Sequence, residues 1–109
     1  MIEVIPGSKN VERVLIYIYG RVEGYAREIA RFYETDLLPI QKQLDNLEAG
    51  GVLVSREVGK TRLYVFNPRY SFLNELQALL EKALSFYPQK EQDELMMNRS
   101  RPRARGKAL

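Results

Sequence analysis

Two residues, Gly59-Lys60, lie between "VLVSREV" and "TRLYVF" and constrain this chain more than any other feature. Both flanks are rich in β-branched and aromatic residues, so the pair is expected to join two strands. A two-residue loop with Gly first makes a type II′ turn, whose twist matches the strands it connects. Such a turn sets Val58 opposite Thr61, Glu57 opposite Arg62, Ser55 opposite Tyr64 and Leu53 opposite Phe66. Opposite charges then face each other near the tip and apolar pairs near the base, as cross-strand energetics favour. Gly59-Lys60-Thr61 are also the last letters of a phosphate-binding P-loop. The first glycine of that motif would stand at position 54, which is Val54, and a helix would have to follow. The stretch therefore reads as a hairpin with a basic tip.

Helical patterns surround the hairpin. In "SKNVERVLIYIYG", Val11, Val14, Leu15 and Ile18 fall at the spacing of a buried helical stripe, with Ser8 or Asn10 as cap and Gly20 as stop, while the β-branched and Tyr content leaves a strand as the alternative. "RVEG" predicts a connector or a single bridge around Val22. "YAREIARFYE" places Ala26, Ile29, Ala30 and Tyr33 on one face of a short second helix. In "TDLLPIQKQLDNLEAGG", Asp36 is the expected N-cap and Pro39 is tolerated in the first turn, where N–H groups lack acceptors. Ile40, Leu44 and Leu47 form its inward stripe, and Gly50-Gly51 end it. "SFLNELQALLEKALSFYP" predicts a last helix from a Ser71 cap towards Pro88. The pattern gives one folded domain over residues 1–88. Residues 89–109 read as a polar, then Arg- and Pro-rich, disordered tail.

Composition excludes several chemistries. The 109 residues include no Cys and no His, which removes disulfides, thiol nucleophiles, imidazole bases and soft-metal ligands. A chain without Cys is the kind expected in the cytoplasm. The longest apolar run, Val14 to Tyr19, is far shorter than the roughly twenty residues a membrane helix needs, and "MIEVIPG" lacks the features of a signal peptide. Carboxylates such as Glu28, Asp36 and Asp45 stand singly and suggest no acid–base pair. No catalytic residue, metal or cofactor is expected. The net charge is +3, but residues 1–88 are neutral. The excess comes from Arg99, Arg101, Arg103, Arg105 and Lys107, with no acid among them.

Two short helices joined by a tight turn, a basic-tipped hairpin and a longer helix follow the order of an α+β winged helix-turn-helix. In detail, "AREIAR", "IQKQLDNLEAGGVL", "REVGKTRLYVFNP" and "ELQALLEK" resemble the ArsR-type winged-helix regulators. They are most similar to the branch found beside, or fused to, nucleotidyltransferase domains. The likeness covers roughly residues 10–86. It implies a three-helix core, a two-stranded wing, buried positions at Ile29, Ala30, Ile40, Leu44 and Leu47, and a long C-terminal helix. It also implies groove-facing positions at Gln41 and Lys42 and wing contacts at Arg56, Lys60 and Arg62. Two departures stand out. Glu34 occupies the inter-helix turn where the family usually has Gly, followed by Thr35 where an apolar residue is common. The Cys and His of the family's metal sensors are absent. The Gly-Ser loop and metal-binding aspartates of a nucleotidyltransferase are missing too, so the chain corresponds to the regulatory half of that pairing.

These readings set the functional expectations. A recognition helix of this size suits a major groove. Its outward positions are Leu37, Leu38, Pro39, Gln41, Lys42, Asp45 and Asn46. Gln41 or Asn46 suits adenine, and Lys42 suits guanine or a phosphate. Asp45 and Glu48 offset Lys42, so the helix itself has little net pull on DNA. "RSRPRARGK" resembles an AT-hook core with Ser100 in place of Gly, or serves as a basic tail for any polyanion. In the last helix, Leu73, Leu76, Leu80, Ala83 and Tyr87 form a core stripe. Phe72, Leu79, Leu84 and Phe86 make it apolar on further sides, and a helix apolar on two faces needs two things to bury against. The expected second partner is the same helix of another subunit. The partners expected are thus double-stranded DNA and a second copy. The alternative is a winged helix that docks on a protein such as a nucleotidyltransferase.

Overall fold

The computed structural model describes residues 8–96. The order of elements is α1 (Ser8–Arg21), β1 (Gly24–Tyr25), α2 (Ala26–Phe32), α3 (Leu37–Ala49), β2 (Leu53–Val58), β3 (Thr61–Phe66), α4 (Leu73–Leu84) and α5 (Gln89–Leu95). The fold is α+β, five helices on a three-stranded antiparallel sheet of order β1-β3-β2.

The central helix is α1, which packs on α2, α3, α4, α5, β1 and β3. Val14 through Tyr19 are all buried. A one-sided stripe was the expectation, and the difference has a simple cause. A helix apolar on all sides is stable only when other elements cover all its sides. Nor does Gly20 stop the helix. Arg21 extends it, and Val22 ends it at φ +78°, its N–H bonded to the Ile18 carbonyl at 2.7 Å. The predicted bridge lies two residues further on, where Gly24 and Tyr25 pair with Tyr64 and Leu63.

The connection from α2 to α3 holds a second left-handed residue. The Glu34 N–H donates to the Arg31 carbonyl and the Thr35 N–H to the Ala30 carbonyl, at 3.1 and 2.9 Å. These are the two bonds of a Schellman cap, which places Glu34 at the position glycine normally takes. Its φ is +53°. The turn therefore keeps the length a glycine would give, and the side chain bears the strain. At the end of α3 the same pair of bonds recurs, with Gly51 in the left-handed position. Asp36 is the N-cap of α3 by position, but its side chain makes no capping bond.

The hairpin has the register that the turn dictates, from Val58↔Thr61 to Leu53↔Phe66. Gly59 has φ +64°, and Val22 and Glu34 are the positive-φ residues other than glycine among those described. Lys60 is therefore not left-handed, which makes the turn type II′ rather than I′.

Two boundaries near the C-terminus differ from expectation. Phe72, not Ser71, is the N-cap of α4. The folded unit also continues past Pro88. Residues 89–95, expected as tail, form α5, and Leu95 is completely buried. One apolar residue in "QKEQDEL" leaves no periodic signal. What holds α5 is tertiary: the Arg21 Nε donates to the Glu94 carbonyl at 3.0 Å, and Gln92 Nε2 donates to the Tyr87 carbonyl at 2.8 Å. Gly20 permits the approach, because a Cβ there would lie 2.7 Å from the Leu95 carbonyl oxygen.

Candidate nucleic-acid interface

Strand alternation and the register divide the hairpin's side chains between two faces. Leu53, Ser55, Glu57, Arg62, Tyr64 and Phe66 share one face, and Val54, Arg56, Leu63 and Val65 the other. The first face joins α3 through a chain of polar contacts. Gln41 Nε2 donates to the Tyr64 hydroxyl and to Asp45 Oδ1, both at 3.0 Å. Ser55 Oγ donates to Glu48 Oε2 at 2.7 Å and accepts from Arg62 Nε at 3.0 Å. Arg62 also pairs with Glu57 at 3.7 Å, in a mostly exposed setting where such pairs contribute little. Burial pushes the Tyr64 phenol above its ordinary value, against the Gln41 hydrogen bond, which lowers it. The tyrosine is therefore a neutral anchor that sets the hairpin at a fixed angle to α3.

Beside this layer is a cleft of about 250 Å³. Arg27 reaches it from α2, Leu37 and Gln41 from α3, and Lys60 and Arg62 from the hairpin, with Tyr64 among the residues that line it. Three cations from two separate stretches of chain, α2 and the hairpin, thus line one concavity.

The predicted recognition residues have diverse fates. Leu38 is 79% exposed, and Lys42, Asp45 and Asn46 are exposed beside it. Pro39 is half-buried, and so is Gln41. Both hydrogens of the Gln41 amide face partners within the fold, so it orients the hairpin and Asp45. Lys60 and Arg62 come together at the cleft, whereas Arg56 projects from the opposite face of the hairpin. Sequence reasoning missed Arg27 and Tyr64. The register itself pointed to Tyr64, which it pairs with Ser55 on the α3-facing side. Nothing local marks Arg27, whose place depends on how α2 meets the hairpin. Arg99, Arg101, Arg103 and Arg105 lie outside the described residues.

The α4 residues divide as well. Leu80, Ala83 and Leu84 are buried within the chain, and Leu73 and Leu76 are half-buried. Tyr87 is also half-buried, and its hydroxyl donates to Glu12 Oε2 at 2.9 Å. Phe72, Leu79 and Phe86 are instead 62, 43 and 77% exposed. Phe72 is the N-cap of α4 and Phe86 follows its C-cap Ser85, so of the three only Leu79 lies within the helix. Leu84, by contrast, is buried in the core.

The chain matches no known protein family, no curated protein and no solved structure. Among the described residues no helix is long and apolar enough to cross a membrane.

Proposed function

We propose that this protein is a winged helix-turn-helix regulator that binds double-stranded DNA. In this reading α2 and α3 are the helix-turn-helix and β2–β3 the wing. The observation that carries it is the cleft where Arg27, Lys60 and Arg62 converge beside the exposed face of α3. Cations that contact phosphates fix a protein's position on a duplex, and α2 and the hairpin supply them here. Lys42 and Asn46 are the exposed polar side chains left to meet base edges. The exposed apolar side chains of Phe72, Leu79 and Phe86 support a homodimer, which would present two α3 helices to two half-sites.

A salt series on random and selected duplexes tests the reading. Arg27→Ala and Lys60→Ala should each flatten the dependence of log K on log salt by about 0.9 for every phosphate no longer neutralised. Lys42→Ala and Asn46→Ala should instead reduce discrimination between the duplexes, by about 1–3 kcal/mol for a good base contact. Slopes unchanged in both the Arg27 and the Lys60 variants would refute it.

One observation favours a second reading. Leu38 and Leu37 are exposed in the first turn of α3, and exposed apolar groups amid polar ones suit a protein interface. On that reading the same face docks on a partner such as a nucleotidyltransferase. Leu38→Glu would then abolish capture of a single co-purifying protein and leave duplex affinity untouched.

A further inference from the structure

The cleft beside α3 is lined by Arg27, Lys60 and Arg62 and by no carboxylate. Their charges are not equally free. Arg62 Nε donates to Ser55 and its Nη1 pairs with Glu57, so Glu57 offsets that guanidinium in part. Arg27 and Lys60 are exposed and have neither a hydrogen bond nor an ion pair among the described residues. Two cations therefore stand uncompensated at one hollow, at the cost of their mutual repulsion.

The hollow is held in shape before any ligand arrives. Tyr25 pairs with Leu63, which fixes the start of α2 against β3 two residues before Arg27. The Gln41–Tyr64 bond fixes the hairpin against α3, and Thr61 Oγ1 closes the tip on the Val58 carbonyl at 3.0 Å. A preorganised site loses less freedom on binding. Leu37, 37% exposed, and the half-buried Tyr25 give the lining an apolar part. At about 250 Å³ the cleft is smaller than the roughly 300–1,000 Å³ of pockets for drug-sized ligands. It suits one phosphate and a small ring.

We infer that this cleft binds a small molecule with a terminal phosphate on a flat apolar body. A phosphate monoester is a dianion above about pH 6, which matches the two uncompensated cations. A diester carries one charge and matches them less well. The Arg27 fork and the Lys60 ammonium meet the phosphate oxygens through charge-assisted hydrogen bonds, and the ring lies against Tyr25 and Leu37. The same cations are assigned to the duplex backbone above, so such a ligand competes with DNA. That competition rests on the DNA reading, whereas the binding does not.

Phenyl phosphate is the probe, with methyl phenyl phosphate as the diester and phenol as the neutral counterpart. NMR titration of the full chain without DNA at about pH 7.5 should show phenyl phosphate shifting Tyr25 and Lys60 resonances, with a Kd of about 1 mM or tighter. The counterparts should bind at least about tenfold more weakly. The chain has no histidine, so lowering the pH to about 5 mainly protonates the ligand and should weaken it severalfold. Arg27→Ala and Lys60→Ala should each weaken binding by about tenfold at an unchanged melting temperature, since both side chains are exposed. Lys82→Ala, at an exposed cation of α4, should leave affinity unchanged. Absence of binding, equal affinity for the diester, or equal losses in the Lys60 and Lys82 variants would overturn the site. Duplex affinity undiminished by saturating phenyl phosphate would overturn the competition. A protein that takes phenyl phosphate but no duplex would keep the site and remove only the DNA reading.

Discussion

Replacing Gly20 with alanine tests the docking of α5 by the sign of a stability change. Gly20 lies inside α1, and at an unconstrained interior helical position Gly→Ala stabilises by about 1 kcal/mol. Here the added Cβ would sit 2.7 Å from the Leu95 carbonyl oxygen and 3.0 Å from the Leu95 Cβ. The obstacle is backbone rather than the end of a flexible side chain, so α5 must back away. Overpacking of this kind costs about 1–3 kcal/mol, and Leu95 loses part of the roughly 1.5–3 kcal/mol that its burial supplies. The crowding outweighs the propensity gain, leaving a net loss of about 1–2 kcal/mol. In a domain of this size each kcal/mol moves the melting temperature by about 4–8 °C. Circular dichroism at 222 nm should therefore show Gly20→Ala melting roughly 5–10 °C lower. Leu95→Ala should lose about 2–4 kcal/mol by leaving a cavity. A rise in melting temperature for Gly20→Ala would refute the reasoning, since only an undocked α5 leaves the propensity gain unopposed.

Further outcomes are open to measurement. Glu34→Gly should stabilise the protein by about 0.5–1 kcal/mol in urea unfolding, because a left-handed residue costs about 1–2 kcal/mol and glycine returns part of that as chain entropy. Phe72→Glu with Leu79→Glu should convert a dimer to a folded monomer by light scattering; a wild-type monomer at tens of micromolar would remove the dimer. Burial raises the phenols of Tyr17, Tyr33 and Tyr64 above their ordinary 10.0. A raised folded value means their contribution is complete below pH 10.0 and is lost as pH rises through the folded values. Urea midpoints should thus fall above about pH 10, less steeply in Tyr33→Phe.

The hairpin was legible because its information is local. Gly59 followed by Lys60 favours a type II′ turn, the period of two does the rest, and a one-residue slip of the pairing would turn every side chain over. The inward stripe of α3 was legible for the same reason, since Ile40 and Leu44 are fully buried as their spacing requires. The candidate site was legible only in part. Lys60 and Arg62 were found, but the separation of Arg56 from them comes from which face of the hairpin α3 covers. Gln41 looked free because its partner Tyr64 is twenty-three positions away.

By itself the sequence determined the order of the main elements, the register of the strands and the absence of thiol and imidazole chemistry, each a property of neighbours or of composition. Tertiary structure alone decided that α1 is covered on all sides, that Gly20 is a contact surface for α5, and that Arg27 joins the hairpin cations. It also decided that Glu12 Oε1 and the Tyr33 hydroxyl are buried with bonds unmade. The physical reason is the same throughout: whether a side chain is buried, paired or left over depends on which distant backbone comes within a few ångströms, and no local period carries that distance.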